Sequence, residues 1–357
     1  MSTAAAGKRV IVTGATGNLG TSVVRALADD PAIASVTGLA RRVPTWLPER
    51  TTWVGVDLGD ERTDLGELFR GADAVIHLAW LFQPTHTPAL TWRTNVLGSL
   101  RVLDAVAAAG VPLLVHTSSV GAYSPGPKDR HVDESWPTHG WPGAAYTREK
   151  AYLERVLDAF EQRHPGVRVV RMRPAFVFQR AAAVEQRRLF AGPLLPRALV
   201  HPELLPFVPD VPGLRFQAVH TADVADAYRL ALHRDVRGPF NLAAGPPIDA
   251  EVLAGMWRAR VRRVPLRLLR PALAAAWRLH AVPASPDLFD AVLRLPLMDC
   301  TRAARELGWH PRFTAVEAVA EFVEGLREGT GGPTPPLAAR PPGGRAREFR
   351  TGVGTRP

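Results

Sequence analysis

One cysteine, three lysines and no long apolar run set the first limits on this chain of 357 residues. The lone thiol, Cys300, excludes an internal disulfide framework and fits a reducing compartment, so a cytoplasmic location is expected. No stretch approaches the ~18 apolar residues of a spanning helix. The longest candidate, Pro271 to Trp277, is bracketed by Arg270 and Arg278. The first six residues contain no apolar segment ahead of a cleavage site, so no signal peptide is expected. Lysine occurs only at Lys8, Lys128 and Lys150, which leaves 41 of the 44 basic residues to arginine. The net charge of +10 therefore reads as an arginine-rich composition and not as a binding stripe, since arginines interleaved with aromatics are absent. Arg340, Arg345, Arg347, Arg350 and Arg356, set against Glu348 alone, place +4 of that charge in the tail from Gly331 to Pro357. No nucleic acid, no integral membrane segment and no metal are expected; a small-molecule substrate is, and a homodimer is compatible with this reading.

What is present is material for a core: 46% of residues are hydrophobic, enough for one large or two smaller domains. Strand and helix patterns alternate through the first half. Arg9 to Thr13, Ser35 to Leu39, Thr52 to Val56, Ala74 to Leu78, Pro112 to His116 and Arg168 to Met172 read as strands. Asn18 to Ala28, Thr91 to Ala109 and Ala144 to Arg163 read as helices. This order predicts an α/β fold: a Rossmann doubly wound parallel sheet, with ligands at the strand C-termini. A late return of Phe216 to Val219, a helix from Asp223 to Leu232, and Gly238 to Leu242 belongs with it. The expected division is a dinucleotide-binding domain over 1–177 with about 214–245. A smaller, mostly helical substrate lobe takes 178–213 and 246–328, and 329–357 forms a disordered, dispensable tail. Val264 to His280, with Arg267, Arg270 and Arg278 beside leucines and Trp277, is expected to pack on the core as a lobe helix. The alternative is a helix lying on a membrane surface.

The first strand leads into Gly14-Ala-Thr-Gly17-Asn-Leu-Gly20 and a helix. Gly14 permits the tight turn, Gly17 admits a pyrophosphate close to backbone, and Gly20 lets helix and sheet approach. Thr16, Asn18 and Leu19 complete the cradle, and the helix N-terminus offers free N–H groups to phosphate. The second strand ends Ala40-Arg41-Arg42. An acid here would hold the adenosine ribose hydroxyls; Arg41 and Arg42 instead suit a 2′-phosphate, so NADP is expected over NAD. Asp57 and Leu58 follow the third strand, on the adenine side. His77-Leu78-Ala79-Trp80 ends the fourth, on the nicotinamide side.

Tyr146-Thr-Arg-Glu-Lys150 is the sharpest signal. Residues four apart share a helix face, so Lys150 is expected to lower the Tyr146 phenol from its usual ~10 and to hold the nicotinamide ribose. Thr117-Ser118-Ser119 closes the fifth strand, where a serine could hydrogen-bond the substrate oxygen. Position alone does not choose between Ser118 and Ser119. Phe82, Gln83 and His86, with Tyr123, Trp136 and Trp141, are expected to face the substrate.

Together these motifs resemble the extended branch of the short-chain dehydrogenase/reductase superfamily, the epimerase- and dehydratase-like proteins. The likeness runs from about Lys8 to Phe313 and includes Asn95-Val-Leu-Gly98, Arg173-Pro174, His220 with Asp223-Val-Ala225, Phe240-Asn-Leu242 and Glu306-Leu-Gly-Trp-His-Pro311. The resemblance implies Tyr146 as acid/base with Lys150 as its partner, and Ser119 as the catalytic hydroxyl with Ser118 nearer the cofactor. It implies a supporting role for Asn95, and Pro174 beneath the nicotinamide. Relatives that eliminate water from nucleotide sugars carry Asp-Glu after the serine; Val120-Gly121 here argues against 4,6-dehydration. Ala175-Phe-Val-Phe178 also lacks an asparagine common in sugar-nucleotide epimerases. The expected activity is NADP-dependent hydride transfer to or from a carbonyl or secondary alcohol. The alternatives are epimerisation through a transient ketone and a non-catalytic NADP-binding protein.

Overall fold

In a computed structural model, residues 7–192, 201 and 207–340 are described. Part of the expected lobe segment 178–213 and the tail arginines 345, 347, 350 and 356 therefore lie outside the described residues.

Seven strands form one parallel sheet: β1 (Lys8–Thr13), β2 (Ile33–Ala40), β3 (Thr51–Gly55), β4 (Ala74–His77), β5 (Leu113–Thr117), β6 (Arg168–Pro174) and a late strand, Gly238–Leu242. Two strands of a smaller sheet, β7 (Phe176–Phe178) and β8 (Phe216–His220), intervene in the chain, so the late strand is β9. The main sheet runs β9-β6-β5-β4-β1-β2-β3. The chain leaves β1 in one direction through β2 and β3 and returns to β4 on the other side. The switch point thus falls between β1 and β4, where two successive loops part and leave a crevice.

Alternation along the strands divides the core. Val10 and Val12 face one layer, with Val23, Val24 and Leu27 of α1 (Asn18–Ala28). Ile11 and Val75 face the other, with Val102 and Val106 of α2 (Gly98–Ala108) and Leu157 and Phe160 of α3 (Ala145–Arg163). The first layer is completed by α4 (Thr221–His233), whose Val224, Tyr228 and Ala231 are buried. Arg50 ties the end of α1 to the start of β2 by donating to the Ala28, Asp30 and Ile33 carbonyls, the first of them a helix-end group without an intrahelical partner.

Every strand expected from the sequence exists, but one lies elsewhere. β8 does not extend the main sheet; it pairs with β7 in parallel and with β10 (Ala244–Ile248) antiparallel. Strand patterning reports burial and not the neighbour, so a return strand and a strand of a second sheet look alike. Two further helices matter below: α5 (Leu266–Arg278) and α6 (Ala315–Glu328), the latter opened by a Thr314/Glu317 capping box.

The tail also needs correction. Residues 330–340 are not disordered: Leu337 is fully buried, and the buried Thr334 hydroxyl donates to the Thr16 carbonyl at 2.7 Å. Arg188 holds the Pro336 carbonyl at 3.1 Å. A proline- and glycine-rich composition with one leucine gave no hint of that anchor.

Candidate functional site

The glycine loop closes β1 against β4. Gly14 has φ +67°, and a Cβ there would meet the Ala79 backbone at 2.6 Å. At Gly20 a Cβ would lie 2.3 Å from the Gly14 carbonyl, so helix and loop are in contact. Gly17 differs: its Cβ position meets only the Gly14 carbonyl, at 3.5 Å, which leaves the approach open. Gly17 is also the N-cap of α1, with no side chain capping the helix and no acid in its first turn. An open approach to an uncapped helix N-terminus fits a dinucleotide pyrophosphate. Thr16 and Leu19 border this loop, while Asn18 is tied to the small sheet, donating to Val177 O at 3.1 Å and accepting from Gln179 at 3.0 Å.

At the end of β2, Ala40 is buried and Arg41 and Arg42 are exposed. Beyond β3, Asp57 accepts from the Gly59 N–H at 2.9 Å, and Leu58 packs into the core under α2. At the end of β4, His77 is enclosed between the Thr13 hydroxyl at 2.6 Å and the Ser99 hydroxyl at 2.8 Å, and burial holds its pKa down at about 3. It is a neutral bridge. Leu78, Ala79 and Trp80 follow it, half-buried, into the crevice.

The polar face of α3 enters the same crevice. The Tyr146 hydroxyl donates to Ser119 Oγ at 2.8 Å, and that oxygen also accepts from the Gly121 N–H at 2.9 Å. Gly121 is required by this contact: a Cβ there would lie 2.6 Å from the Tyr146 ring. An acid at 121 is therefore sterically excluded while Tyr146 is so placed. Lys150 Nζ donates to the Thr117 carbonyl at 2.7 Å and lies 3.5 Å from the centre of the Trp80 ring. Burial pushes this lysine down to about 7, against the pull of Glu149 and Glu154.

The expectation that Lys150 lowers the Tyr146 phenol is not met. Burial pushes the phenol up to about 12; the opposing pull comes from the Ser119 hydrogen bond, and Glu149 adds to the rise. The lysine is engaged by a carbonyl and an aromatic ring instead.

Asn95 lies in a turn widened to a π-helix (Arg93–Leu97) and is 1% exposed. Its side chain accepts from Leu81 N at 2.7 Å and donates to Leu81 O at 2.9 Å and Glu149 Oε2 at 2.7 Å. Glu149 is buried and takes a second bond, from Thr91, at 2.6 Å. Sequence reasoning missed Glu149. The available signal was an acid on the same helix turn as Tyr146 and Lys150.

Several expected site residues are used elsewhere. Ser118 is buried and donates to Glu154, whose carboxylate is also gripped by Arg173 at 2.8 and 2.9 Å and by Arg171 at 3.1 Å. Arg173 thus ends in an ion pair, and Pro174 after it is buried at the end of β6. Tyr123 is 1% exposed and donates to Asn241 at 2.7 Å, so it does not face the crevice. Gln83 is buried and donates to the Leu189 carbonyl at 2.6 Å, which makes it a staple between segments. His86 is stacked between Trp277 at 4.0 Å and His280 at 4.1 Å. Trp136 and Trp141 lie under Arg130 and Arg294. Ser118, Tyr123, Gln83 and Arg173 each answer a polar partner inside the protein, a demand that sequence position does not reveal.

Of the expected lining, Phe82 remains. Its ring stacks on Tyr146 at 5.1 Å and 16°, Trp80 meets Tyr146 edge-on at 5.7 Å, and Phe190 meets Phe82 edge-on at 5.5 Å. Phe190 had no local signal; only the tertiary fold brings it across.

Known proteins share this chain's sequence pattern and fold. The family model described as the NAD dependent epimerase/dehydratase family matches residues 10–243. Over 329 residues the chain is 28% identical to a 4-hydroxy-2-methyl-3-oxo-4-farnesyl-3,4-dihydroquinoline-1-oxide ketoreductase of Stigmatella aurantiaca, covering 86% of this chain and 93% of that protein. It is 28% identical over 273 residues to a UDP-glucose 4-epimerase of Neisseria meningitidis serogroup C, covering 69% and 80%. The UDP-glucose 4-epimerase of Thermus thermophilus, solved in complex with NAD, shares the fold at TM-score 0.66 and 22% identity, covering 89% of this chain and 99% of that one. With the doubly wound sheet, the glycine cradle and a family match spanning both, the chain belongs to the NAD dependent epimerase/dehydratase family, in the extended short-chain dehydrogenase/reductase superfamily, and is an NAD(P)-dependent enzyme.

Proposed function

We propose that this protein is an NADP-dependent ketoreductase in which Tyr146 is the proton donor, Ser119 orients the substrate oxygen and Lys150 holds the cofactor. The observation that carries this is the 2.8 Å bond from the Tyr146 hydroxyl to Ser119 Oγ at the open end of β5. Both groups can reach one carbonyl oxygen placed beside the pair. A phenol pushed up to about 12 is fully protonated at neutral pH, as a donor to a reduced carbonyl must be. The bound nicotinamide would supply the hydride. Ser119 Oγ, fixed by the Gly121 N–H, would hold the carbonyl so that its oxygen meets the phenol.

Arg41 and Arg42, with no acid closing β2, support the 2′-phosphate of NADP. The rings of Trp80, Phe82 and Phe190 around Tyr146 support an apolar, ring-bearing carbonyl compound over a sugar. The similarity to a ketoreductase named for a prenylated quinoline oxide points the same way. The family description and the similarity to a UDP-glucose 4-epimerase favour the second reading, epimerisation through a transient ketone.

Nicotinamide absorbance separates the two. Aromatic and prenylated cyclic ketones should consume NADPH stoichiometrically, and Tyr146→Phe should lower turnover by roughly 10²–10⁴ with NADPH binding retained. Interconversion of UDP-glucose and UDP-galactose without net NADPH loss would instead establish the epimerase. Tyr146→Phe turnover within a few-fold of the parent would remove Tyr146 from the chemistry.

A further inference from the structure

From Arg258 to His280 the chain holds seven arginines (258, 260, 262, 263, 267, 270 and 278) and no acid. It folds as a short strand, Arg260–Arg263, followed by α5. No residue of α5 is buried. Contrary to the expectation of a core-packed helix, it touches the body along one edge only. Leu266, Leu269, Leu273, Ala276 and Trp277 form that edge, all half-buried. Trp277 stacks on His86 and donates to the Thr85 hydroxyl at 2.9 Å.

The other side is apolar as well. Leu268, Ala272, Ala275 and Leu279 recur at spacings of four, three and four, so they form one stripe along the helix. All four are exposed, Leu268 at 64% and Leu279 at 80%. A single exposed leucine is ordinary; a helical stripe of two leucines and two alanines bordered by Arg267 and Arg278 is not. Arg270 is paired with Asp290 and Asp287, and Arg262 lies over the Phe207 ring. Among the described residues, Arg258, Arg260, Arg263, Arg267 and Arg278 meet no acid.

We propose that this face docks the enzyme on an anionic lipid bilayer. The leucine–alanine stripe would lie at the acyl boundary with the flanking guanidinium groups at lipid phosphates, the arrangement of a surface-lying amphipathic helix. A second copy of the chain is a poor occupant, because a self-complementary contact would set arginines against arginines. The loop that carries Phe82 to Tyr146 also carries His86 to Trp277, so the docking helix abuts the wall of the candidate site.

The test is flotation of the full chain with vesicles of phosphatidylcholine alone and of phosphatidylcholine mixed with phosphatidylglycerol. Binding to the anionic vesicles should be at least ~10-fold stronger and should weaken with salt. Leu268→Ser with Leu279→Ser, and separately Arg267→Glu with Arg278→Glu, should each weaken it about fivefold or more while melting temperature and NADPH binding stay unchanged. Replacing Arg345, Arg347, Arg350 and Arg356 by glutamine should leave vesicle binding in place. The proposal is overturned by equal binding to both vesicles, by binding that survives the helix variants, or by binding that vanishes with the tail arginines. It is also overturned if Leu268→Ser with Leu279→Ser turns a dimer into a monomer by light scattering, since the stripe would then be a self-contact.

Discussion

Glu154 takes hydrogen bonds from Ser118, Arg171 and Arg173 without any exposure to water. Burial alone would raise its pKa, but the hydrogen bonds and charge of Arg173 outweigh it and hold the carboxyl at about 2. A depressed acid contributes stability that is present above its unfolded value of 4.5 and is lost as pH falls from there toward 2. Glu154→Gln should cost about 3–5 kcal/mol, because the buried Arg173 guanidinium loses its counter-charge, whereas Arg171 keeps Asp158 and Glu161. Denaturant unfolding at neutral pH measures this, and near pH 2 the variant and the parent should converge. Lys150 makes a different pH claim. Burial holds it at about 7, and an anionic cofactor favours the ammonium form. Cofactor affinity should therefore fall as pH rises through 7 to 8, and the Lys150→Met variant should lose this slope. An identical slope in both proteins, read by fluorescence titration, would exclude the lysine as its source.

The C-terminal ends of strands are the elements on which cofactor choice is decided. β2 ends in a buried alanine followed by two exposed arginines. Changing Arg41 and Arg42 to alanine should weaken NADPH by roughly tenfold or more, the scale of a charge-assisted hydrogen bond of about 1.5–3 kcal/mol, and leave NADH unchanged. Equal loss for both cofactors would place these arginines away from the 2′-phosphate. The β1 loop, β2 end, β5 end and α3 motif were all legible in sequence because each depends on local geometry: a positive φ, a strand terminus, a four-residue helical repeat. The loop after β4 was legible only in part. Phe82 lies against Tyr146, but Gln83 and His86 were claimed by carbonyls and rings from segments more than a hundred residues away.

For the molecule as a whole, the described chain stays anchored past Gly329, where composition implied a loose tail. Thr334 ties the tail to Thr16 in the phosphate loop, and Leu337 is buried beside it. A chain ending at Gly329 should melt about 3 °C lower or more, since burying one leucine is worth roughly 1.5–3 kcal/mol and each kcal/mol moves a domain of this size by ~2–4 °C. Its NADPH affinity should drop as well. A chain ending at Arg340 should match the full protein in both. If the two truncations behave alike in a thermal melt, the contact with Thr16 carries no weight.

By itself the sequence determined the parallel sheet, the glycine cradle and the spacing of Tyr146 and Lys150. These follow from periodicity and backbone sterics, which act within a few residues. Tertiary structure alone decided what each polar group answers to. Ser118, Tyr123 and Arg173 went to the buried Glu154 cluster and its neighbours, Lys150 went to Trp80 and the Thr117 carbonyl, and β8 went to a second sheet. A buried donor or charge takes whatever partner the packing brings within reach, and that partner is set by the path of the whole chain.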